Sequence, residues 1–142
     1  MIYLVIPCYN EQEVLEDSTK KLASLIGRMQ GEDMRILFSD DGSRDETWNI
    51  ICKLHHQYPF VEGIRLAHNE GHQKALWAGM EAAADRAEAI ISIDADLQDD
   101  IEVIPRMVAD FRQGADVVYG VRKERDTDSA FKRLTALTFY RL

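Results

Sequence analysis

The residues best suited to chemistry stand in one short run, "DADLQDD" at positions 94–100, directly after the apolar stretch "AEAIISI". Carboxylates this close repel one another, and each loses hydration if it packs against a core. They need either a cation or full solvation. In an extended segment Asp94 and Asp96 point to the same side. Two oxygen donors so placed suit a hard divalent cation, Mg²⁺ or Mn²⁺, which keeps positions free for water and substrate phosphates. Gln98 adds a neutral oxygen within reach. Asp99 and Asp100 have a simpler reading as acids in the first turn of a following helix, where the dipole favours them. A lone D-x-D triplet recurs by chance on surfaces, so its neighbours must decide.

Four other polar clusters accompany it: "PCYNEQE" from Pro7, "DDGS" from Asp40, "HNEGHQK" from His68 and "GVRKERD" from Gly120. In "DDGS", Gly42 permits a sharp turn and Ser43 can cap a helix. A turn alone does not account for both Asp40 and Asp41, and a carboxylate there can accept from a base N–H or from ribose hydroxyls. Tyr9 is either core or a stacking platform for a ring. Asn10 is expected to cap the first helix. Lys74, Arg122 and Arg125 are surface cations that can touch a diphosphate. His68 and His72 lack a third partner for a metal site and read as solvated loop side chains.

The elements that must position these clusters alternate. Strands are expected at "IYLVIPCY", "MRILFS", "FVEGIRLA", "AIISI" and "ADVVYGV". Helical spacing of apolar residues separates them. It runs over about 13–29 (Leu15, Leu22, Leu25, Ile26, Met29) and through Trp48, Ile51, Leu54 and Tyr58 up to Pro59. It resumes over 74–87 with Leu76, Met80 and Ala83 inward, over 101–113 with Pro105 at a break or fresh start, and over 128–142 with Phe131, Leu134 and Leu137 on one side. Ser43 or Asp45 can cap the second helix. Strand–helix alternation predicts an α/β fold in three layers, α/β/α, with a mostly parallel sheet. In such a sheet ligands bind at the carboxyl ends of the strands, and all five polar clusters fall there.

Composition bounds the function. The 142 residues suit a single domain over 1–142. No run approaches the ~20 apolar residues of a membrane helix, and Met1 leads into a strand pattern rather than a signal peptide. Cys8 and Cys52 lack metal-like spacing and read as reduced thiols. The net charge is −8, but from Arg122 onward six Lys and Arg face three acids, so that end is +3 and the first 121 residues carry −11. An acidic body argues against nucleic acid as a partner, whereas the basic end can face an anionic membrane or a phosphorylated ligand. The helical pattern stops at Leu142 without cap or breaker, so the chain is expected to continue in a longer protein. Leu137, Phe139 and Leu142, left exposed, would favour a homo-oligomer.

The ordered set "VIPCYNE", "SDDGSRDET", "HNEGHQKALWAGM", "IDADLQDDIEVIP" and "YGVRKERDTDSAFKR" resembles the motifs of family 2 inverting glycosyltransferases with the Rossmann-like nucleotide-diphospho-sugar transferase (GT-A) fold. Within that family it is most similar to the polyprenyl-phosphate sugar transferases: dolichol-phosphate mannose synthase and, more closely, the bacterial undecaprenyl-phosphate glucosyltransferases. The resemblance spans essentially the whole chain, with "QDD" where the family often has "QDP". It implies that Pro7, Tyr9, Glu11 and Asp41 line the nucleotide pocket and that Lys74 matches a basic position after the Asn–Gly loop. It implies that Asp94, Ala95 and Asp96 lie at the sugar nucleotide, that Asp94, Asp96 and Gln98 hold the metal, and that Arg122 reaches a diphosphate or acceptor phosphate.

The implied reaction moves a sugar from a nucleotide-diphospho-sugar, a UDP-sugar, to a polyprenyl phosphate with inversion, with Mg²⁺ or Mn²⁺ as cofactor. The implied setting is the cytoplasmic side of the cell membrane, with further acceptor-side residues and membrane helices beyond these 142 residues. Rival readings are a nucleotide-sugar-binding module without turnover, a family 2 transferase with a saccharide acceptor, and a phospho-accepting receiver domain. The last expects its acidic pair after the first strand, and here the pair follows the second.

Overall fold

A computed structural model describes residues 1–121. The order is β1 (Ile2–Cys8), α1 (Leu15–Arg28), β2 (Met34–Asp40), α2 (Thr47–Gln57), β3 (Val61–Arg65), α3 (His72–Ala84) and β4 (Ala89–Ser92), then a 3₁₀ turn (Ile101–Val103) and α4 (Ile104–Arg112). The four strands form one parallel sheet in the order β3-β2-β1-β4. β1 is central, and all seven of its residues are buried.

The sheet separates two apolar layers. Ile2, Leu4, Ile6, Ile36 and Phe38 meet Leu15, Leu22 and Leu25 of α1, Ile51 and Leu54 of α2, and Ile104 and Val108 of α4. On the opposite face Tyr3, Val5 and Leu37 meet Ala83, with Leu76 packed alongside. This is the expected three-layer α/β/α arrangement. Each Leu or Ile fully withdrawn from water contributes roughly 1.5–3 kcal/mol, and the alternation of β1 side chains between the two layers fixes its register.

Several expectations shift. α3 starts at His72 rather than at 74, and its buried residues are Ala75, Gly79 and Ala83. Leu76 and Met80 are only half-buried. The reason is close approach: a Cβ on Gly79 would lie 2.6 Å from Val5 Cγ1 and 3.3 Å from Ser39 Cβ, so small residues face the sheet and large ones lie at its flanks. α1 begins at Leu15 with no side-chain cap. Asn10 does not cap it. It adopts φ 52°, and its Oδ1 accepts from Arg44 N at 2.9 Å. Asp45 does serve the second helix, accepting from Thr47 N at 2.9 Å. Pro105 stands at the fresh start of α4.

The fifth strand expected over 115–121 is not formed. Val117, Tyr119 and Val121 are exposed there. Their alternation expresses β propensity, but propensity without a hydrogen-bonded neighbour does not make a strand. The helix expected over 128–142, with Arg122 and Arg125, lies outside the described residues. Among the described residues no helix is long and apolar enough to cross a membrane, and Cys8 and Cys52 are free thiols.

Candidate active site

Strand order reverses at β1: β2 and β3 continue on one side and β4 returns on the other. In open α/β sheets a ligand crevice forms at such a point, outside the carboxyl ends of the strands. The backbone shows where it opens. The β1–β4 ladder ends at Val5 and Ser92, with one further bond from Ile93 N to Val5 O at 3.2 Å. Odd-numbered residues of β1 thus turn their backbone toward β4. Pro7, two residues on, has no N–H to offer and lies where β4 has already ended.

Beyond Ile93 the chain turns. Leu97 N donates to Asp94 O at 3.2 Å, and Leu97 itself has φ 50°. Asp94 and Asp96 are therefore in a turn, not in the extended segment expected. The outcome for their side chains is the same, because Asp94 and Asp96 are exposed while Ala95 between them is buried. Ala95 is anchored through its carbonyl, which accepts from Ser18 Oγ at 2.7 Å. Gln98 N donates to Asp96 Oδ1 at 3.2 Å. Asp100 caps the 3₁₀ turn, accepting from Glu102 N at 3.0 Å.

Across the crevice, Tyr9 is 40% exposed, so its ring is an open surface and not core. Glu11 is half-buried. Its carboxyl is pushed up from the ordinary value first by desolvation, then by the negative charges of Asp96, Asp45 and Asp94. The carboxylates of Asp96, Asp45 and Asp94 thus concentrate negative charge around Glu11.

Asp40 and Asp41 divide the work at the end of β2. Asp40 is fully buried, and Arg65 Nε lies 3.1 Å from its Oδ2, an ion pair whose N–H does not align with the oxygen. Asp41 is also buried. It accepts from Glu70 N at 2.7 Å, Gly71 N at 2.9 Å and Asn69 Nδ2 at 2.9 Å. Three donors on one carboxylate clamp the 69–71 loop that starts α3. Gly42 completes the clamp: with φ 67°, it would place a Cβ 2.6 Å from His68 C.

A family model described as "Glycosyl transferase family 2" matches residues 3–141. The chain belongs to this family. It is 46% identical over 147 residues to the uncharacterized glycosyltransferase YkoT of Bacillus subtilis, covering 100% of this chain and 44% of the relative. It is 40% identical over 141 residues to the prophage bactoprenol glucosyl transferase homolog of Escherichia coli, covering 99% of this chain and 45% of the relative. The chain thus spans less than half the length of these curated relatives. Among solved structures, Staphylococcus aureus TarS 1–349 superimposes with a TM-score of 0.62 at 17% identity, over 89% of this chain and 40% of that one. The same TarS fragment in complex with UDP-GlcNAc gives 0.60. At such identity the likeness concerns the fold, which is that of GT-A glycosyltransferases.

Within this family 2 chain, Pro7, Tyr9 and Glu11 stand at the end of β1 and Asp94, Ala95, Asp96 and Gln98 follow the end of the adjacent β4, with Glu11 near enough to Asp94 and Asp96 to feel their charge. Asp41 lies beneath the neighbouring loop, with both oxygens already bonded. Lys74 stands off the crevice acids, its Nζ 2.6 Å from Glu70 Oε2. Arg122 lies outside the described residues. Three residues of the site were not anticipated. Arg65 compensates Asp40, Asn69 secures Asp41, and His72, expected to be a solvated loop residue, places its Nε2 3.8 Å from Asp94 Oδ1. Asn69 and His72 fall within the "HNEGHQK" cluster, but no local pattern marks Arg65 or the pairings of all three, because each partner comes from a distant element.

Among the described residues no three His, Cys, Asp or Glu side chains gather as a ready-made cation cage. A Mg²⁺-type site takes one or two carboxylates and completes its shell with water and substrate phosphates, and Asp94 and Asp96 are exposed carboxylates of one turn. The negative charges of Asp96, Asp45 and Asp94 around Glu11 fit an added cation.

Proposed function

We propose that this chain is the donor-binding part of a hexosyltransferase. In this reading the donor is a nucleotide-diphospho-sugar, specifically a UDP-sugar, and the acceptor is a polyprenyl phosphate. The anomeric centre is inverted, and Mg²⁺ or Mn²⁺ assists. The observation that carries the reading is the exposed Asp94–Asp96 pair at the strand-order reversal, with Glu11 registering its charge. Membership of family 2 supports sugar transfer, and the relatives named bactoprenol glucosyl transferases support a lipid phosphate as acceptor.

The chain's residues divide the task. Tyr9 offers its exposed ring to the base. Asp41 holds the 69–71 loop against the donor. Asp96 is the principal metal ligand, with Asp94 and the Gln98 side-chain oxygen beside it. A divalent ion held there would neutralise the diphosphate and stabilise the charge that develops on it as the anomeric C–O bond breaks. The acceptor phosphate attacks from the opposite face, forming a new C–O bond while the nucleoside diphosphate departs with its electron pair. A phosphomonoester has its second pKa near ~6 and is already an anion, so the chain need not supply a general base. Arg122 and the basic stretch after it would face the anionic cytoplasmic leaflet, where each Lys or Arg near the surface is worth about 1 kcal/mol.

Calorimetry tests the reading. UDP should bind more tightly than GDP, and Mn²⁺ should raise UDP affinity in the wild type. Asp96→Ala should leave the circular dichroism spectrum intact and abolish that metal-dependent gain. An equal gain in the variant would remove Asp96 from the metal site, and tighter binding of GDP would overturn the uridine assignment.

A further inference from the structure

His72 is the one basic side chain among the described residues recorded within ion-pair distance of Asp94 or Asp96. Its neighbours in the loop are engaged elsewhere: His68 and Lys74 both pair with Glu70. The position of His72 is not accidental. Asp41 clamps the backbone of Glu70 and Gly71, and Gly71, at φ 96°, starts α3. The clamp sets the first residue of the helix opposite the turn that carries Asp94. Both side chains are 58% exposed, so a ligand has access to them.

We infer that His72 and Asp94 together grip a hydroxyl of the donor's sugar, making His72 a specificity-determining residue; this rests on the donor reading above. The gap carries the argument. At 3.8 Å His72 Nε2 and Asp94 Oδ1 are too far apart for a direct hydrogen bond, which spans about 2.7–3.2 Å. They are close enough for one oxygen to touch both. That oxygen must accept from Nε2–H and donate to a carboxylate. A sugar hydroxyl does both. A diphosphate oxygen has no proton to give and would meet Asp94 as a like charge. The pair therefore selects the sugar rather than the phosphates. Asp96, which no basic side chain among the described residues approaches within ion-pair distance, remains the principal metal ligand, and Asp94 keeps its other carboxylate oxygen for the metal. Discrimination follows, because a site built to bond a hydroxyl rejects an analogue that leaves its polar groups unpaired.

The experiment titrates UDP and UDP-glucose, with Mn²⁺ present, into the wild-type chain, His72→Leu and His72→Gln. The Gln variant is chosen because its Nε2 offers a donor at similar reach. His72→Leu should weaken UDP-glucose about five- to tenfold, the worth of a lost hydrogen bond, while UDP stays within about twofold. His72→Gln should restore most of the loss. If His72→Leu weakens UDP and UDP-glucose alike, His72 acts on the nucleotide and the inference falls while the donor reading stands. If it weakens neither, the inference falls in the same way. A wild-type chain that binds neither ligand overturns both.

Discussion

Glu11 shows how one side chain reports on a whole site. Burial and the charges of Asp96, Asp45 and Asp94 raise its pKa, so the folded state holds its proton more tightly than the unfolded state does. The linkage sign follows. This group costs no stability below the unfolded value, and the cost appears as pH rises through the folded value. Glu11→Gln should therefore raise Tm at pH 7, with the gain vanishing as the medium is acidified below about pH 4, near the ordinary carboxyl value. Thermal melts across pH 3.5–8 check it, and a gain that grows toward acid would contradict the assignment. Saturating Mn²⁺ should shrink the gain, because a cation relieves the repulsion that the substitution removes. The Glu11 motif is legible in the sequence. Its partners are not, since Asp45, Asp94 and Asp96 reach it from two other strand ends.

At the scale of elements, the loop between β3 and α3 is held by residues that belong to neither. Asp41 after β2 supplies the acceptors, and Gly42 leaves room for the His68 and Asn69 backbone to pass. Gly42→Ala should cost about 2–3 kcal/mol, combining a strained left-handed backbone with a backbone clash that cannot be relieved by side-chain rotation. Urea denaturation measures the loss, and UDP-glucose affinity should fall with it as the loop moves. A loss below ~0.5 kcal/mol would show that the loop is not seated on Gly42. The turn at "DDGS" could be read from Gly42 alone. That the glycine serves a second loop could not, because the requirement comes from a contact between segments 26 residues apart.

At the scale of the molecule, the proposed reading gives the described strand ends the donor side. β4 is an edge strand of the described sheet, and Val117, Tyr119 and Val121 stand exposed beyond α4. The chain spans 44–45% of its relatives' length. We expect it to bind UDP-glucose with Mn²⁺ yet to show no transfer to undecaprenyl phosphate above background, beside full-length E. coli relative in detergent. Product formation by thin-layer chromatography decides it. Turnover comparable to the relative would mean that the acceptor site is complete within these residues.

What the sequence determined by itself was the alternation of apolar strands with amphipathic helices, the placing of four of the five polar clusters after strands, and the D-x-D pair. These are local: period, composition and spacing are written in consecutive residues. Tertiary structure decided the rest. It placed small Ala75 and Gly79, with the expected Ala83, against the sheet where Leu76 and Met80 were expected. It turned Asn10 from a helix cap to a tie on Arg44, and it left 115–121 without a strand despite its β propensity. It used up Asp41 on the 69–71 loop, and it brought His72 opposite Asp94. Each outcome depends on which segment arrives as neighbour, a property of how the elements pack and not of any one stretch of chain.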